Sequence, residues 1–491
     1  MNIAVIGAGI GGLAAASLLA KDNHSVTVYE KNETVGGKMN EIRAGGFRFD
    51  TGPSLLTLPE LLERLFSDCG ERMEEYLQLE PLNPLCRYFF RDGTTFDNFE
   101  DQKRSLAEIA RIAPEDEEAY TEFLGYAKQL FQKTSSSFLF NPLFDISDLS
   151  EVNLADLARI DAVSTVSARV DKYFQSDYLR RFFKRFATYN GSSPFQAPAT
   201  LNVIPHVEIN RGGYYVKDGI YRIAEALAAL AKKNGARFIM DTEVTAINTE
   251  RGRVRGIELY DGTKEQFDIV LSNSDASETY LHLLPDRSGS SLKKKIIANT
   301  EPSCSGFVLL LGLDRSYNQL RHHNVFFSDS YEKEFEAIFK DRVPAKDPTI
   351  YIANTSYSDP GHAIAGGSNL FVLVNAPYLS ERYDWSSGRA AYARHIKQVL
   401  ESRGLTGLGA SIRYEKIITP QDFYQKYRSN KGSIYGTSSN SRMAAFMRPA
   451  NKARNVEGLY LTGGSTHPGG GIPLVILSAM HACELINRYE V

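Results

Sequence analysis

Apolar positions recur along this chain with two different periods, and the alternation of those periods predicts its elements. Ile3 to Ile6 is a short, wholly apolar run of the kind found in buried parallel strands, and Leu13 to Leu19 continues as a helix of small residues. Val26 to Tyr29 is a second apolar strand. From Pro59 to about Tyr120 the pattern is helical, interrupted by a strand-like Arg87-Tyr-Phe-Phe90 before an Asp92-Gly93 turn. Phe123 to Asp145 has no clean period, and no element is assigned to it. Between Arg169 and Asn190, Leu179, Phe182, Phe183 and Phe186 fall at i, i+3, i+4 and i+7, with Arg180, Arg181, Lys184 and Arg185 between them. That pattern predicts a basic amphipathic helix, lying either on anionic lipid or with its phenylalanines packed inward and its charges solvated.

Further on, Ile220 to Ala231 reads as helix ended by Asn234-Gly235. Strands follow at Phe238 to Met240, from Val244, over Val254 to Tyr260 and over Asp268 to Ser272, with a hairpin turn at Asp261-Gly262. From about Pro302 to Ala453, β-rich runs at Gly306 to Leu313, Thr349 to Ala353 and Leu370 to Val374 alternate with helices. A last strand near Leu459 leads through a glycine loop to an apolar helix from Leu474 to about Arg488, for which Pro473 is well placed as first residue. These elements predict an α/β protein with a discontinuous Rossmann-like domain (1–95, 210–290 and 455–491), a helical lid subdomain (96–209) that could face a membrane, and a mixed α+β substrate domain (291–454).

The joints between elements carry the chemistry. Gly7, Gly9 and Gly12 stand at G-x-G-x-x-G spacing, with Gly11 among them, between the first strand and its helix. Gly7 permits the turn, Gly9 lets backbone approach a pyrophosphate, and Gly12 packs helix on strand. The helix N-terminus offers free N–H groups and the positive end of its dipole to the phosphates. Glu30, ending the second strand, can accept from both ribose hydroxyls and would repel a 2′-phosphate, which argues against NADP. A second glycine pair, Gly36-Gly37, precedes Lys38, and a dense run from Gly46 includes Thr51-Gly52-Pro53-Ser54. Backbone approach at so many points suits a cofactor longer than one nucleotide, a flavin dinucleotide rather than NAD. The tail loop, Gly463-Gly464-Ser-Thr-His467-Pro-Gly-Gly-Gly471-Ile472-Pro473, repeats the strand, glycine and helix logic at the flavin's pyrimidine side.

Composition narrows the classes. A net charge of −3 over 491 residues gives no global reason to expect nucleic acid. Four scattered cysteines without C-x-x-C pairing suggest neither a disulfide framework nor a zinc site. The adjacent His322 and His323, with no third ligand at a motif spacing, are expected on opposite faces of a strand as surface or core residues, so no metal is expected. The N-terminal apolar run lacks a basic flank and is not read as a signal peptide, and no apolar stretch reaches spanning length. A cytoplasmic protein that meets membranes from the surface is the expectation.

The opening fingerprint through Gly37, the Gly46 to Ser54 run and the Ser465 to Pro473 tail resemble bacterial carotenoid desaturases of the phytoene-desaturase type, within the FAD-dependent amine oxidase superfamily. Ala187 to Pro198, Ile204-Pro-His-Val-Glu208, His323 to Asp329, Asp347 to Tyr351 and Gly432 to Asn440 are similar to flavobacterial-type 1-hydroxycarotenoid 3,4-desaturases. The resemblance implies a non-covalent FAD held by the glycine loops with Glu30, Lys31, Lys38, Thr51, Gly52, Pro53, Ser54, Val244, His467, Ile472 and Pro473. It implies 3,4-desaturation of a substrate such as 1′-hydroxy-γ-carotene, a quinone or oxygen as electron acceptor, and contact with a membrane surface. Alternatives are desaturation of phytoene or diapophytoene, oxygenation of a terminal methyl, a flavin-dependent carotene isomerase, and a non-enzymatic prenyl-protein escort of the same fold. His206, Glu208 and Tyr189, from the family-specific stretches, are the candidates for a catalytic proton acceptor or polar group. The chain departs from the family pattern at Tyr215-Val-Lys-Asp-Gly219, where relatives commonly have Tyr-Pro-x-Gly-Gly; that difference bears on how the loop meets the flavin.

Overall fold

The computed structural model describes residues 1–135, 139–142, 144, 161–285, 291–441 and 448–491, and is built around two sheets. The first is wholly parallel and has five strands, in the spatial order Leu459–Leu461, Ile269–Ser272, Asn2–Ile6, Ser25–Tyr29 and Arg237–Ile239. Both faces of this sheet are covered, which is why its strands read as continuous apolar runs. Ile3 and Val5 point to a helical layer of Ile10–Lys21, Arg222–Lys233 and Ile472–Tyr489, while Ala4 and Ile6 point to the three-stranded antiparallel sheet Val244–Glu250, Arg253–Leu259 and Lys264–Gln266. Helix Ile10–Lys21 lies between the sheet and the other two helices, so ten of its twelve residues are buried. Gly11, Gly12 and Ala14 to Ala16 provide the small surface such packing needs.

The second sheet has seven strands, in the order Ile412–Ile418, Ser305–Leu313, Ser368–Ala376, Ile350–Asn354, His323–Phe326, Cys86–Phe89 and Thr95–Asn98. All nine residues of Ser305–Leu313 are buried. Their alternation splits the faces: Phe307, Leu309 and Leu311 pack on helix Trp385–Ser402, and Val308 and Leu310 point to the opposite side, towards the hairpin Glu41–Ala44 and Phe47–Asp50. Each such side chain contributes roughly 1.5–3 kcal/mol by leaving water. The hairpin Cys86–Phe89/Thr95–Asn98 forms the edge of this sheet, parallel to His323–Phe326. The boundary expected at residue 95 therefore falls within the larger sheet, and the boundary at 290 borders residues 286–290, which lie outside the described ones.

An aromatic cluster fills the space between this edge and the helices Gln102–Ile112, Glu117–Thr134, Val166–Tyr173 and Asp177–Lys184. The unassigned stretch after Phe123 is helical through Thr134, with Phe123, Leu124, Ala127, Leu130 and Phe131 buried; its end at Asp145 lies outside the described residues. Helix Asp177–Lys184 buries Leu179, Phe182 and Phe183 as expected, and its cations, partly exposed, also bind neighbouring groups. Lys184 pairs with Asp171 at 2.7 Å, Arg180 donates to the Phe174 carbonyl at 2.8 Å, and Arg181 donates to the Ser328 and Asp329 carbonyls at 2.8 and 3.0 Å. The inward packing of the phenylalanines is thus seen, while the charges of the basic face, still partly exposed, are tied to neighbouring segments.

Candidate active site

The glycine loops meet edge to edge. Gly36 N donates to the Ala8 carbonyl at 2.7 Å, Gly9 and Gly36 form an isolated parallel bridge, and a Cβ on Gly37 would meet Gly9 Cα at 3.3 Å. A Cβ on Gly11 would lie 2.7 Å from Asn273 Oδ1 and 3.1 Å from Gly463 N, so the tail loop closes on the same point. A Cβ on Gly12 would come within 2.1 Å of the Gly7 carbonyl. That contact belongs to helix-on-strand packing, and Gly12 does not line the cavity that the other loop glycines enclose.

This cavity has a volume of about 490 Å³. Gly7, Gly9, Gly11, Glu30, Lys31, Gly36, Gly37, Lys38, Thr51, Gly52, Pro53, Ser54, Val244, Gly463, Gly464, Gly471, Ile472 and Pro473 all line it. Glu30 is buried; its Oε2 accepts from Ala8 N at 2.7 Å and its Oε1 from Asn32 N and Nδ2 at 3.0 and 2.6 Å. The N-termini of Ile10–Lys21 and Ile472–Tyr489 both open on the cavity. A fixed carboxylate, two helix N-termini and backbone bared by three glycine loops fit a dinucleotide that carries a ribose at one end and a long diphosphate bridge. Lys38 is buried and donates to the Ser433 and Ile434 carbonyls at 3.3 and 2.7 Å; burial lowers its pKa.

His467 does not line the cavity. Its Nε2 donates to the Asn141 carbonyl at 2.9 Å, and the ring stacks on His481. None of Tyr215 to Gly219 lines it either, so the family departure in that loop lies away from the cavity. That segment instead runs through strand Tyr214–Val216 against Leu79–Pro81, and a Cβ on Gly219 would strike the Arg48 guanidinium.

Beyond Ser54 the lining becomes apolar, with Val308, Val325, Phe371, Leu373, Phe423 and Ile434. Polar side chains are set into it as a cluster. Arg185, which follows the basic helix on a tighter 3₁₀ turn, points inward and pairs with buried Glu208 at 2.7 Å; Tyr189 donates to the same carboxylate. Burial, and then the Glu208 charge, push the Tyr189 hydroxyl far up. His323 Nδ1 bonds the Tyr351 hydroxyl at 2.7 Å, and that hydroxyl lies 2.5 Å from Ser54 Oγ. Burial, then His322 and Arg185, hold the His323 pKa well below its ordinary value. Strand His323–Phe326 begins only at His323, so the two adjacent histidines do not alternate across it; both are buried, with ring centroids 4.5 Å apart. Of the three catalytic candidates, Glu208 and Tyr189 line the cavity and His206 does not: its Nδ1 accepts from Asn210 Nδ2 at 2.8 Å, and burial lowers its pKa to about 4. Among the described residues no group of acidic, histidine or cysteine side chains could hold a metal ion.

Sequence reasoning missed Arg185, Tyr351 and Tyr435 as cavity residues, together with Asn273, Glu243 and Arg428 near the glycine loops. Tyr351 and Tyr435 carried a signal, as members of the family-like stretches Asp347 to Tyr351 and Gly432 to Asn440.

Comparison with known proteins agrees with this geometry. The family model described as flavin containing amine oxidoreductase matches residues 10–487. A 4,4'-diaponeurosporene oxygenase from Staphylococcus haemolyticus (strain JCSC1435) is 34% identical over 495 residues, covering 100% of this chain and 97% of that protein. An oxidoreductase from Methanosarcina mazei has a TM-score of 0.65 at 17% identity, covering 99% of this chain and 100% of its own. Cyclohexylamine oxidase from Brevibacterium oxydans IH-35A has a TM-score of 0.64 at 15% identity, covering 100% and 99%. The glycine cradle, the carboxylate at the end of the second strand and a match over almost the whole length lead to one conclusion: the chain belongs to the flavin-containing amine oxidoreductase family and is an FAD-dependent oxidoreductase.

Proposed function

We propose that this enzyme oxidises a carotenoid, introducing the 3,4 double bond into a 1-hydroxycarotenoid such as 1′-hydroxy-γ-carotene. The observation that carries the proposal is the single cavity running from the glycine cradle into an apolar reach on the inner face of the seven-stranded sheet. The Staphylococcus relative, by its name, supports the same class of substrate.

FAD, when bound, supplies the acceptor for a hydride. The loops at Gly7, Gly36 and Gly463, with Glu30, would hold it without a covalent link, its diphosphate at the N-terminus of Ile10–Lys21. The chain's own tasks are then to bind, orient and dry the substrate. Val308, Val325, Phe371 and Leu373 exclude water and confine an elongated hydrocarbon, so that one carbon pair is presented repeatedly in the same place. Glu208 is held by Arg185 and Tyr189, which leaves it a positioning role in the lining. A substrate of this kind dissolves in lipid, so the proposal includes contact with a membrane surface from the cytoplasm and reoxidation by a quinone or oxygen. Among the described residues no helix is long and apolar enough to cross a membrane.

A second reading, oxygenation of a terminal methyl, is favoured by the full-length Staphylococcus relative. Expression in bacterial strains accumulating 1′-hydroxy-γ-carotene, phytoene or 4,4'-diaponeurosporene separates the readings. Loss of two hydrogens with a red shift in the first strain alone supports 3,4-desaturation. Gain of oxygen in the third supports the second reading, conversion of phytoene moves the assignment to an earlier desaturation, and no change in any strain refutes both.

A further inference from the structure

Arg448 is a cation without a counter-ion, set just behind the wall of the cavity. Its guanidinium is held by neutral acceptors from three segments: Nη1 donates to the Gly464 carbonyl at 3.2 Å, and Nη2 to Asn190 Oδ1 at 2.9 Å and to the Thr437 carbonyl at 3.4 Å. A Cβ on Gly469 would stand 3.3 Å from Arg448 Cζ, so the tail loop also wraps the group from a second side. Among the described residues no carboxylate pairs with it. The side chain keeps some accessible surface, yet it is enclosed deeply enough that burial lowers its pKa to about 10, which leaves it charged near neutral pH. Arg48 and Arg185, by contrast, are each neutralised by a carboxylate, at 2.5 and 2.7 Å. Drawing a charge away from water without an opposite partner is destabilising, and neutral acceptors offset only part of that loss.

The position of this charge gives it a use. Gly464, Gly470, Tyr435 and Gly436 line the cavity, as does Tyr189 beside Asn190. Tyr435 follows Ile434 of the apolar reach, and a Cβ on Gly470 would meet the Tyr435 ring at 3.1 Å, so the glycine tail and the apolar reach join here. A dinucleotide whose ribose lies at Glu30 has to bring its reacting end to this junction, because here it can meet a substrate held in the apolar reach. The guanidinium stands one peptide group, that of Gly464, behind the junction. Contact is not required, since the energy between two unit charges falls only as 1/r and is larger across protein than across water. A hydride passed to FAD carries two electrons and one proton and so adds one negative charge to a neutral ring; the substrate loses that hydride and then a proton to solvent. We propose that Arg448, from behind the cavity wall, supplies a fixed positive charge that stabilises reduced FAD and raises its reduction potential. The neutral grip then has a reason, because a carboxylate on the guanidinium would cancel its field. The inference rests on FAD as the cofactor and is independent of which substrate is oxidised.

The test is the midpoint potential of the FAD-loaded protein, measured by anaerobic reduction with xanthine and xanthine oxidase against a reference dye and read from the visible spectra; no polyene is needed. Arg448→Gln keeps a donor for the neighbouring carbonyls but has no charge. It should make reduction about tenfold or more less favourable, a fall of about 30 mV or more for a two-electron couple. Arg448→Lys keeps the charge and should stay within about threefold of wild type, about 14 mV. Asn190→Asp leaves Arg448 in place but sets a carboxylate against it, with the Ser439 hydroxyl free to donate where it now accepts from Asn190 Nδ2. It should lower the potential as Arg448→Gln does. Should Arg448→Gln fail to fold or to keep FAD, Asn190→Asp decides. A potential unchanged in Arg448→Gln or in Asn190→Asp overturns the proposal. So does a potential in Arg448→Lys as low as that of Arg448→Gln, which would leave Arg448 a structural clamp alone.

Discussion

Replacing Glu334 by glutamine should remove a pH dependence that burial builds into the substrate side of the enzyme. Glu334 sits on the short helix Tyr331–Glu336, is 1% exposed, and accepts through Oε2 from Thr349 N at 2.9 Å and Ser328 Oγ at 3.1 Å. Its Oε1 has no partner, and burial raises its pKa to about 7 despite the two donors. The folded state therefore holds a proton that the unfolded chain, with an ordinary glutamate near 4.5, releases earlier. Stability from this group is fully present below about pH 4.5 and is lost as pH rises through about 7. At ~1.36 kcal/mol per pH unit, the interval amounts to about 3 kcal/mol by pH 8. Glu334→Gln keeps a carbonyl oxygen for Thr349 and Ser328 but has no proton to lose. Urea unfolding at pH 5, 6, 7 and 8, followed by far-UV circular dichroism and by flavin release, should show the variant within about 1 kcal/mol of wild type at pH 5 and more stable by about 3 kcal/mol at pH 8. Because Tyr331 on the same helix lines the cavity, wild type should also release flavin at lower urea at pH 8 than at pH 6. A gap between the two proteins that is constant from pH 5 to 8, or that narrows towards pH 8, would refute the reasoning.

Gly12→Ala drives a Cβ to within 2.1 Å of the Gly7 carbonyl, so it should cost roughly 1–3 kcal/mol or more of stability and yield protein with little bound FAD, read as the flavin-to-protein absorbance ratio. Glu30→Ala leaves the buried Ala8 N–H without its 2.7 Å acceptor, a loss of about 1–3 kcal/mol, and removes the ribose acceptor; flavin should be stripped on gel filtration where wild type keeps it. The triple variant Arg180→Gln, Arg181→Gln, Lys184→Gln should sediment with anionic liposomes to the same extent as wild type while melting at lower temperature, since these cations bind Asp171 and backbone carbonyls; a large drop in sedimentation would support the lipid-facing reading.

The glycine loops were legible in the sequence because their demands are local. Gly7, Gly36, Gly463 and Gly471 have φ values between +92° and +105°, and Gly11 and Gly37 leave a Cβ only 3.1 and 3.3 Å from neighbouring backbone, so residue type alone marked them. The hairpin Cys86–Phe89/Thr95–Asn98 was legible as a hairpin but not as an edge of the larger sheet, because its partner strand lies more than two hundred residues away and nothing in either segment specifies the other. Arg185 was misread for a different reason. Helical periodicity extrapolated from Leu179 to Phe186 puts it on the polar face, but the chain tightens into a 3₁₀ turn at Arg185–Asn190 and turns the guanidinium towards Glu208. His323 was hidden by its neighbour: a strand containing both histidines would split them, whereas the strand starts one residue later.

The strand order of the parallel sheet also governs how this protein is made. Its central strand, Asn2–Ile6, is synthesised long before the edge strand Leu459–Leu461 and the helix Ile472–Tyr489 that packs on Ile10–Lys21. A nascent chain thus waits through more than four hundred residues before the third glycine loop can close on Gly11, and during that wait the first βαβ unit has only part of its shelter. Chains that stop short of this loop should therefore be colourless, so the yellow of bound flavin reports that the two distant parts of the sheet have met.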